Sequence, residues 1–195
     1  MRLIRPLLVG ACLLILAHPS PALAATAEAV FAGGCFWCVE ADFDKLPGVK
    51  QTISGYSGGS VSRPSYKQVS AGGTGHYEAV KVLYDPKQVS YAKLVDFFLH
   101  HVDPTDGNGQ FCDRGGQYRT AIFATAAQKP EAEAAIARAA KQLKQPLKTP
   151  VLASQPFWPA EDYHQDYYKK EPLLYRYYRL RCGRDQRIEQ VWGKP

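Results

Sequence analysis

Ala29-Val30-Phe31-Ala32-Gly33-Gly34-Cys35-Phe36-Trp37-Cys38-Val39-Glu40 carries a short apolar strand, a glycine turn and the start of a helix in one unbroken run. Ala29 to Ala32 reads as a buried strand. Phe36, Val39, Phe43 and Leu46 then recur at helical spacing until Pro47-Gly48 stops the pattern. The run places Cys35 in the first turn of a helix, where unpaired N–H groups and the macrodipole favour negative charge. Those conditions predict a thiol of lowered pKa, and the thiolate is the nucleophilic form. A buried structural cysteine is the competing reading, and Gly-Gly before it with Phe-Trp after it argues against that.

Working outward, Val49 to Gly55 reads as a second strand and Ser57 to Ser65 as a Gly/Ser/Pro-rich loop. Tyr77, Ala79, Val80, Val82 and Tyr84 predict a strand that Asp85-Pro86 ends. Ser90 caps a helix with Leu94, Phe97, Phe98 and His101 on one face. A polar, glycine-rich loop spans Asp103 to Gln117, a β-branched and aromatic strand Tyr118 to Ala124, and an alanine-rich helix Pro130 to Leu143. From Pro156 onward the chain is aromatic and proline-punctuated, with little obvious periodicity. Strands alternating with helices predict one α/β (α+β) domain around a central sheet.

Residues 1–24 read as a signal peptide rather than part of the fold. Arg2 and Arg5 form a charged n-region, Leu7 to Ala17 an apolar h-region, and Ala22-Leu23-Ala24 an Ala-x-Ala cleavage site. The apolar run is too short to span a bilayer, which takes about 20 residues. Val9-Gly10-Ala11-Cys12 loosely resembles a lipobox, but Leu13 to Leu16 continue the apolar run past it, so lipidation at Cys12 is the lesser alternative. The expectation is an exported protein, periplasmic or secreted, cleaved between Ala24 and Ala25. Its single domain then covers 25–195, without stable membrane association and as a monomer.

Net charge is +6, and removing Arg2 and Arg5 lowers it by two. With no dense Lys/Arg run, nothing indicates a nucleic-acid partner. Cys35, Cys38, Cys112 and Cys182 remain after cleavage. They are too few for a disulfide scaffold in a domain of this size, so thiols that cycle are the better reading. Met1 is the sole methionine and leaves with the leader, which suits a protein working where methionine is oxidised.

Cys35-x-x-Cys38 first suggests a thioredoxin-like pair. That fold has substantial sequence before its motif, whereas here the motif lies close to the expected mature N-terminus. Gly55-Tyr56-Ser57-Gly58-Gly59 matches a serine nucleophile elbow, with Asp162 and His164 downstream. A helix must follow that serine, and Gly-Gly-Ser-Val-Ser-Arg-Pro is loop instead. His100, His101 and Asp103 do not complete a metal-ligand spacing, so no metal and no cofactor are expected. Glu78 follows Gly72-Gly73-Thr74-Gly75-His76-Tyr77 and lies within an otherwise apolar strand. It is a candidate for a partly buried general acid of raised pKa, with an exposed strand residue as the alternative.

The chain strongly resembles the A-type peptide methionine sulfoxide reductases. The resemblance rests on Gly34-Cys35-Phe36-Trp37, Gly55-Tyr56-Ser57-Gly58-Gly59, Pro64-Ser65-Tyr66 and Gly75-His76-Tyr77-Glu78-Ala79-Val80. It continues through Asp103-Pro104-Thr105, Asp113-Arg114-Gly115-Gly116-Gln117-Tyr118-Arg119 and Phe157-Trp158-Pro159-Ala160-Glu161-Asp162-Tyr163-His164-Gln165. It implies a two-layer α/β roll with a central mixed sheet and flanking helices. By the same resemblance Cys35 is the nucleophile, and Phe36 and Trp37 cage the S-methyl group. Glu78 protonates the sulfoxide oxygen, Tyr66 and Tyr118 donate hydrogen bonds to it, and Asp113 positions substrate or water.

The chemistry needs such a cast. Sulfoxide oxygen leaves only when protonated, so thiol attack requires an acid and donors. The resulting sulfenic acid condenses with a second thiol, and an external dithiol restores the enzyme. For an exported chain that dithiol would belong to a thioredoxin-like partner outside the cytosol. Cys38 stands where many relatives carry glycine, and Cys112 where many carry asparagine. Cys182 resembles the family's recycling cysteine in placement, so a Cys35–Cys182 bridge is expected, with Cys38 and Cys112 as alternatives.

Overall fold

The computed structural model describes residues 26–194. The leader expected over 1–24, its cleavage site and Cys12 lie outside the described residues. Strand β1 (Ala27–Gly33) leads into helix α1 (Phe36–Phe43), then strand β2 (Val49–Ser57), helix α2 (Tyr66–Ser70), strand β3 (Tyr77–Tyr84) and helix α3 (Tyr91–Leu99). A two-residue hairpin, β4 (Gly109–Gln110) and β5 (Asp113–Arg114), precedes strand β6 (Thr120–Ala124), helix α4 (Lys129–Leu143) and strands β7 (Val151–Ala153) and β8 (Phe157–Pro159). Helices α5 (Tyr167–Lys170), α6 (Pro172–Arg181) and α7 (Arg184–Trp192) close the chain.

The main sheet runs β7-β6-β1-β3-β2-β8. Its pairs are antiparallel except β6–β7, whose parallel pairing requires a crossover, and α4 supplies it. The sheet is therefore mixed, and the helices that pack on it make the two-layer α/β arrangement that the resemblance implies. Phe31, Val80, Val82, Leu94, Phe98 and Ile122 form the main core, with Ala132, Ala135 and Ala139 of α4 against it. Small side chains on α4 let it approach α3 closely. A second cluster of Ala32, Tyr77, Ala79, Ala121 and Phe123 is also buried, so the central strands are apolar at nearly every position rather than alternating.

Where the structure departs from the expected elements, the reasons are local. The first helix stops at Phe43 rather than Leu46. Helix α2 follows the Ser57–Ser65 loop and is set by a capping box between Ser65 and Gln68, a short element without apolar periodicity to announce it. The glycine-rich stretch after Asp103 holds the β4–β5 hairpin, and Tyr118 ends a 3-10 turn at Gly116–Tyr118, so β6 begins at Thr120. The C-terminal stretch is helical despite its weak pattern, because α6 buries Tyr175 alone and α7 buries only Arg184. Polar anchors, not an apolar stripe, hold those two helices.

Candidate active site

Cys35 is the N-cap residue of α1 and is only 7% exposed. Gly34 precedes it at φ +81°, and a Cβ there would lie 2.6 Å from Gln110 Cβ. A glycine is thus what lets the β4–β5 hairpin close against the helix start. The next backbone group, the Phe36 N–H, donates to Glu78 Oε2 at 3.0 Å. Glu78 lies on β3 opposite Tyr56 of β2 and is buried. Burial lifts its carboxyl to about 8, with the Phe36 N–H pulling the other way. At neutral pH it is a carboxylic acid beside the thiol, so the buried-acid reading of this residue is the one realised.

Two phenols stand near this acid. Tyr66 opens α2, and its N–H donates to Glu161 Oε1 at 2.8 Å, while Glu161 Oε2 accepts from the Tyr56 hydroxyl at 2.9 Å. The Tyr66 and Tyr118 hydroxyls are close neighbours, each shifting the other's titration. Burial pushes Tyr66 up to about 12 and Tyr118 higher still, and Glu78 adds to both once it ionises above about 8. Both phenols therefore remain proton donors through the physiological range.

The aromatic wall follows from Phe36 and Trp37. Phe36 is buried against His164, with ring centroids 4.9 Å apart, and Tyr66 packs on the same imidazole at 4.4 Å. Trp37 is half-buried, stacked on Tyr167 at 3.8 Å, and its Nε1 donates to His164 Nδ1 at 3.1 Å. Ser57 ends β2 with its hydroxyl donating to the Pro156 carbonyl at 3.1 Å, a structural role. His100 and His101 bond the carbonyls of Asp96 and Phe97 at 2.7 Å, one turn back on their own helix.

In two respects the site differs from the expectations. Burial raises the Cys35 thiol well above the ordinary value, and the neighbouring Cys38 and Glu78 add to the rise, so its place at a helix start does not lower its pKa. Cys38 goes the other way: its closeness to the Cys35 thiol lowers it, and Arg184 and Arg179 favour its anionic form. The second concerns the bridge. Cys182 is joined to Cys112, with Cα atoms 4.8 Å apart, rather than to Cys35, and among the described residues Cys35 and Cys38 are the free thiols.

Asp113, next to Cys112, accepts a hydrogen bond from the Tyr178 hydroxyl, which lies beside the Cys35 thiol. Burial raises the Asp113 carboxyl. Tyr178 links the buried thiol to the Cys112–Cys182 bridge, because Cys182 follows it by one helical turn. Sequence reasoning passed over this tyrosine, and its spacing from Cys182 was the available signal. It also passed over Asp42, Arg179 and Arg184. Arg179 Nη1 lies 2.9 Å from Asp42 Oδ1, and Arg184 Nε 3.7 Å from Asp42 Oδ2. Arg184 is 2% exposed and donates to the Gly33 and His101 carbonyls at 3.2 and 2.8 Å.

A thiol, a protonated carboxyl, two phenols, an aromatic wall and a nearby disulfide are together suited to reducing a small polar oxide on an apolar substrate. Comparisons with known proteins point the same way. A 189-residue alignment with peptide methionine sulfoxide reductase MsrA 2 of Caulobacter vibrioides is 51% identical and covers 95% of this chain and 96% of that one. The MsrA/MsrB protein of Vibrio cholerae is 53% identical over 169 residues, which are 85% of this chain and 45% of that longer relative. Among solved structures, reduced Mxr1 of Saccharomyces cerevisiae superposes with a TM-score of 0.73 at 32% identity, covering 79% of this chain and 89% of that one. A family model described as peptide methionine sulfoxide reductase matches residues 27–195, and the chain belongs to that family.

Proposed function

We propose that this chain reduces the S epimer of methionine sulfoxide, free or within proteins, as a peptide-methionine (S)-S-oxide reductase that repairs oxidised proteins. The observation that carries the reading is Glu78, a buried carboxylic acid held by the Phe36 N–H immediately after Cys35. Cys35 attacks the sulfoxide sulfur. Glu78 gives its proton to the oxygen as charge develops there, and Tyr66 and Tyr118 donate hydrogen bonds to it. Phe36 and Trp37 hold the methyl-sulfur end, a polarizable group that favours aromatic contact. The substrate's sulfur–oxygen bond breaks, the oxygen passes to the Cys35 sulfur, and methionine leaves with Cys35 as a sulfenic acid.

Asp113 orients the Tyr178 hydroxyl toward the thiol. A second thiol of the chain then condenses with the sulfenic acid, and Cys182 takes part in recycling through its bridge to Cys112. A thioredoxin-like dithiol returns that bridge to two thiols. We place the enzyme outside the cytosol, on the strength of the n-region, h-region and Ala22-Leu23-Ala24. Intact mass of the natural protein checks this: the expected N-terminus is Ala25, and a chain that retains Met1 or is lipidated at Cys12 contradicts it.

Turnover of each sulfoxide epimer with dithiothreitol tests the activity. One chiral arrangement puts oxygen on Glu78, Tyr66 and Tyr118 while the methyl meets Phe36 and Trp37, so the S epimer is consumed and the R epimer is left. Equal consumption of both, or of neither, removes the reading.

A further inference from the structure

Cys38 has no part in the chemistry so far. It is 2% exposed and packs with Ala41 and Tyr175, under Trp37 and Tyr178. It sits three residues after Cys35 in the same turn, and its backbone N–H donates to the Cys35 carbonyl at 3.1 Å. Residues three apart on a helix are neighbours. The two thiols are close enough for each to shift the other's titration. Cys112 and Cys182 hold each other instead, with Cys112 exposed and Cys182 partly so. The chain thus carries an inner pair that solvent barely reaches and an outer pair at the surface, joined by Tyr178.

Resting on the reductase reading, we propose that the sulfenic acid on Cys35 is closed first by Cys38, and that the Cys35–Cys38 bridge then passes to Cys112 and Cys182. In the first step the Cys38 sulfur displaces the hydroxyl from Cys35. The S–O bond breaks as the S–S bond forms, and the hydroxyl leaves as water with the proton of the thiol pair. Cys38 is oxidised, and the Cys35 sulfur falls from sulfenic acid to disulfide. In the second step one outer thiolate attacks the inner bridge, and the other outer thiol then displaces it. The exchange leaves two inner thiols and the Cys112–Cys182 bond seen here.

Geometry favours this order. Closing Cys35 onto Cys38 asks for side-chain rotation within one helical turn, so the attacking sulfur is present at a very high effective concentration. The anion on Cys38 is supported by Arg184 and Arg179, which Asp42 anchors. Burial of Cys38 also explains the second pair. A protein dithiol cannot touch a sulfur under Trp37 and Tyr178, so the bridge has to be handed outward before it can be reduced.

The test uses full-length reduced enzyme, one equivalent of methionine S-sulfoxide, rapid acid quench and peptide mapping, with dimedone as the probe for sulfenic acid. In the Cys112→Ser/Cys182→Ser variant, a Cys35–Cys38 disulfide is expected and no dimedone adduct. A dimedone-labelled Cys35 beside a free Cys38 overturns the proposal. In Cys38→Ser, or Cys38→Ala if serine disturbs the buried site, the Cys35 sulfenic acid should persist about tenfold longer or more, and Cys112–Cys182 should form correspondingly more slowly. Formation of that bond at the unaltered rate overturns it as well. Methionine released by the unaltered enzyme reads the reductase chemistry separately. No release removes both readings, whereas release with an unaffected sulfenic acid removes this one alone.

Discussion

Glu78 and Cys35 reach their states through the same burial, with opposite consequences for chemistry. Removing water keeps the carboxyl protonated, which the reaction needs, and keeps the thiol protonated, which it does not. Attack on sulfoxide therefore begins from a buried thiol with Cys38 as its neighbour. Glu78→Gln keeps the size and the Phe36 contact but has no proton to give. It should lower the single-turnover rate by about 10²-fold or more, measured by rapid quench. The pH profile separates this from a structural effect. With Glu78 at about 8, the rate should fall as pH rises past that value, and the glutamine variant should lack this limb. Stability carries the same sign: between 4.5 and about 8 the native state binds a proton that the unfolded chain has lost. This group's favourable share is full below 4.5 and disappears as pH rises through 8, so urea midpoints should converge with or fall below those of Glu78→Gln on the alkaline side.

Helices α6 and α7 bring Tyr178 and Cys182 to the site, and their hold on the rest of the molecule is the Asp42–Arg179–Arg184 group. Arg184 is buried, ties α7 to the carbonyls of Gly33 and His101, and lies over the Phe111 ring at 4.7 Å. Replacing it by methionine keeps much of the volume but leaves Asp42 and two carbonyls without this partner. Breaking a buried pair from one side costs about 3–5 kcal/mol, which urea unfolding would show. Hydrogen exchange should quicken over 172–192 more than over the sheet. These helices were also the least legible part of the sequence. β1, α1, β3, α3 and α4 announce themselves by apolar periodicity because each buries a face in the common core. Helix α6 leaves Leu173, Leu174, Tyr177 and Leu180 exposed, so its pattern has no core to report. Cys35 and Glu78 were legible because their chemistry is uncommon in a strand–helix junction and an apolar strand. Tyr178 was not, since its spacing from Cys182 carries meaning only once the aromatic tail is known to be helical.

Across the whole molecule, the Cys112–Cys182 bond joins the hairpin after β4 to the end of α6 over 70 residues of chain. Between those ends lie β6, β7, β8 and the crossover helix α4, so the loop that the bond closes contains both edge strands of the sheet and the α4 alanines that pack on the core. A cross-link over so long a loop restricts the unfolded chain far more than the folded one, and such bonds contribute roughly 2–4 kcal/mol. In the proposed cycle it is also the bond that an external dithiol opens. Oxidised enzyme should accordingly melt above reduced enzyme, by about 2–4 °C for each kcal/mol in a domain of this size. Calorimetry with and without dithiothreitol measures the difference. The Cys112→Ser variant is the control: if its melting temperature still shifts by the same amount with reductant, the stabilisation comes from another bond, and the outer pair does not hold α6 against the hairpin.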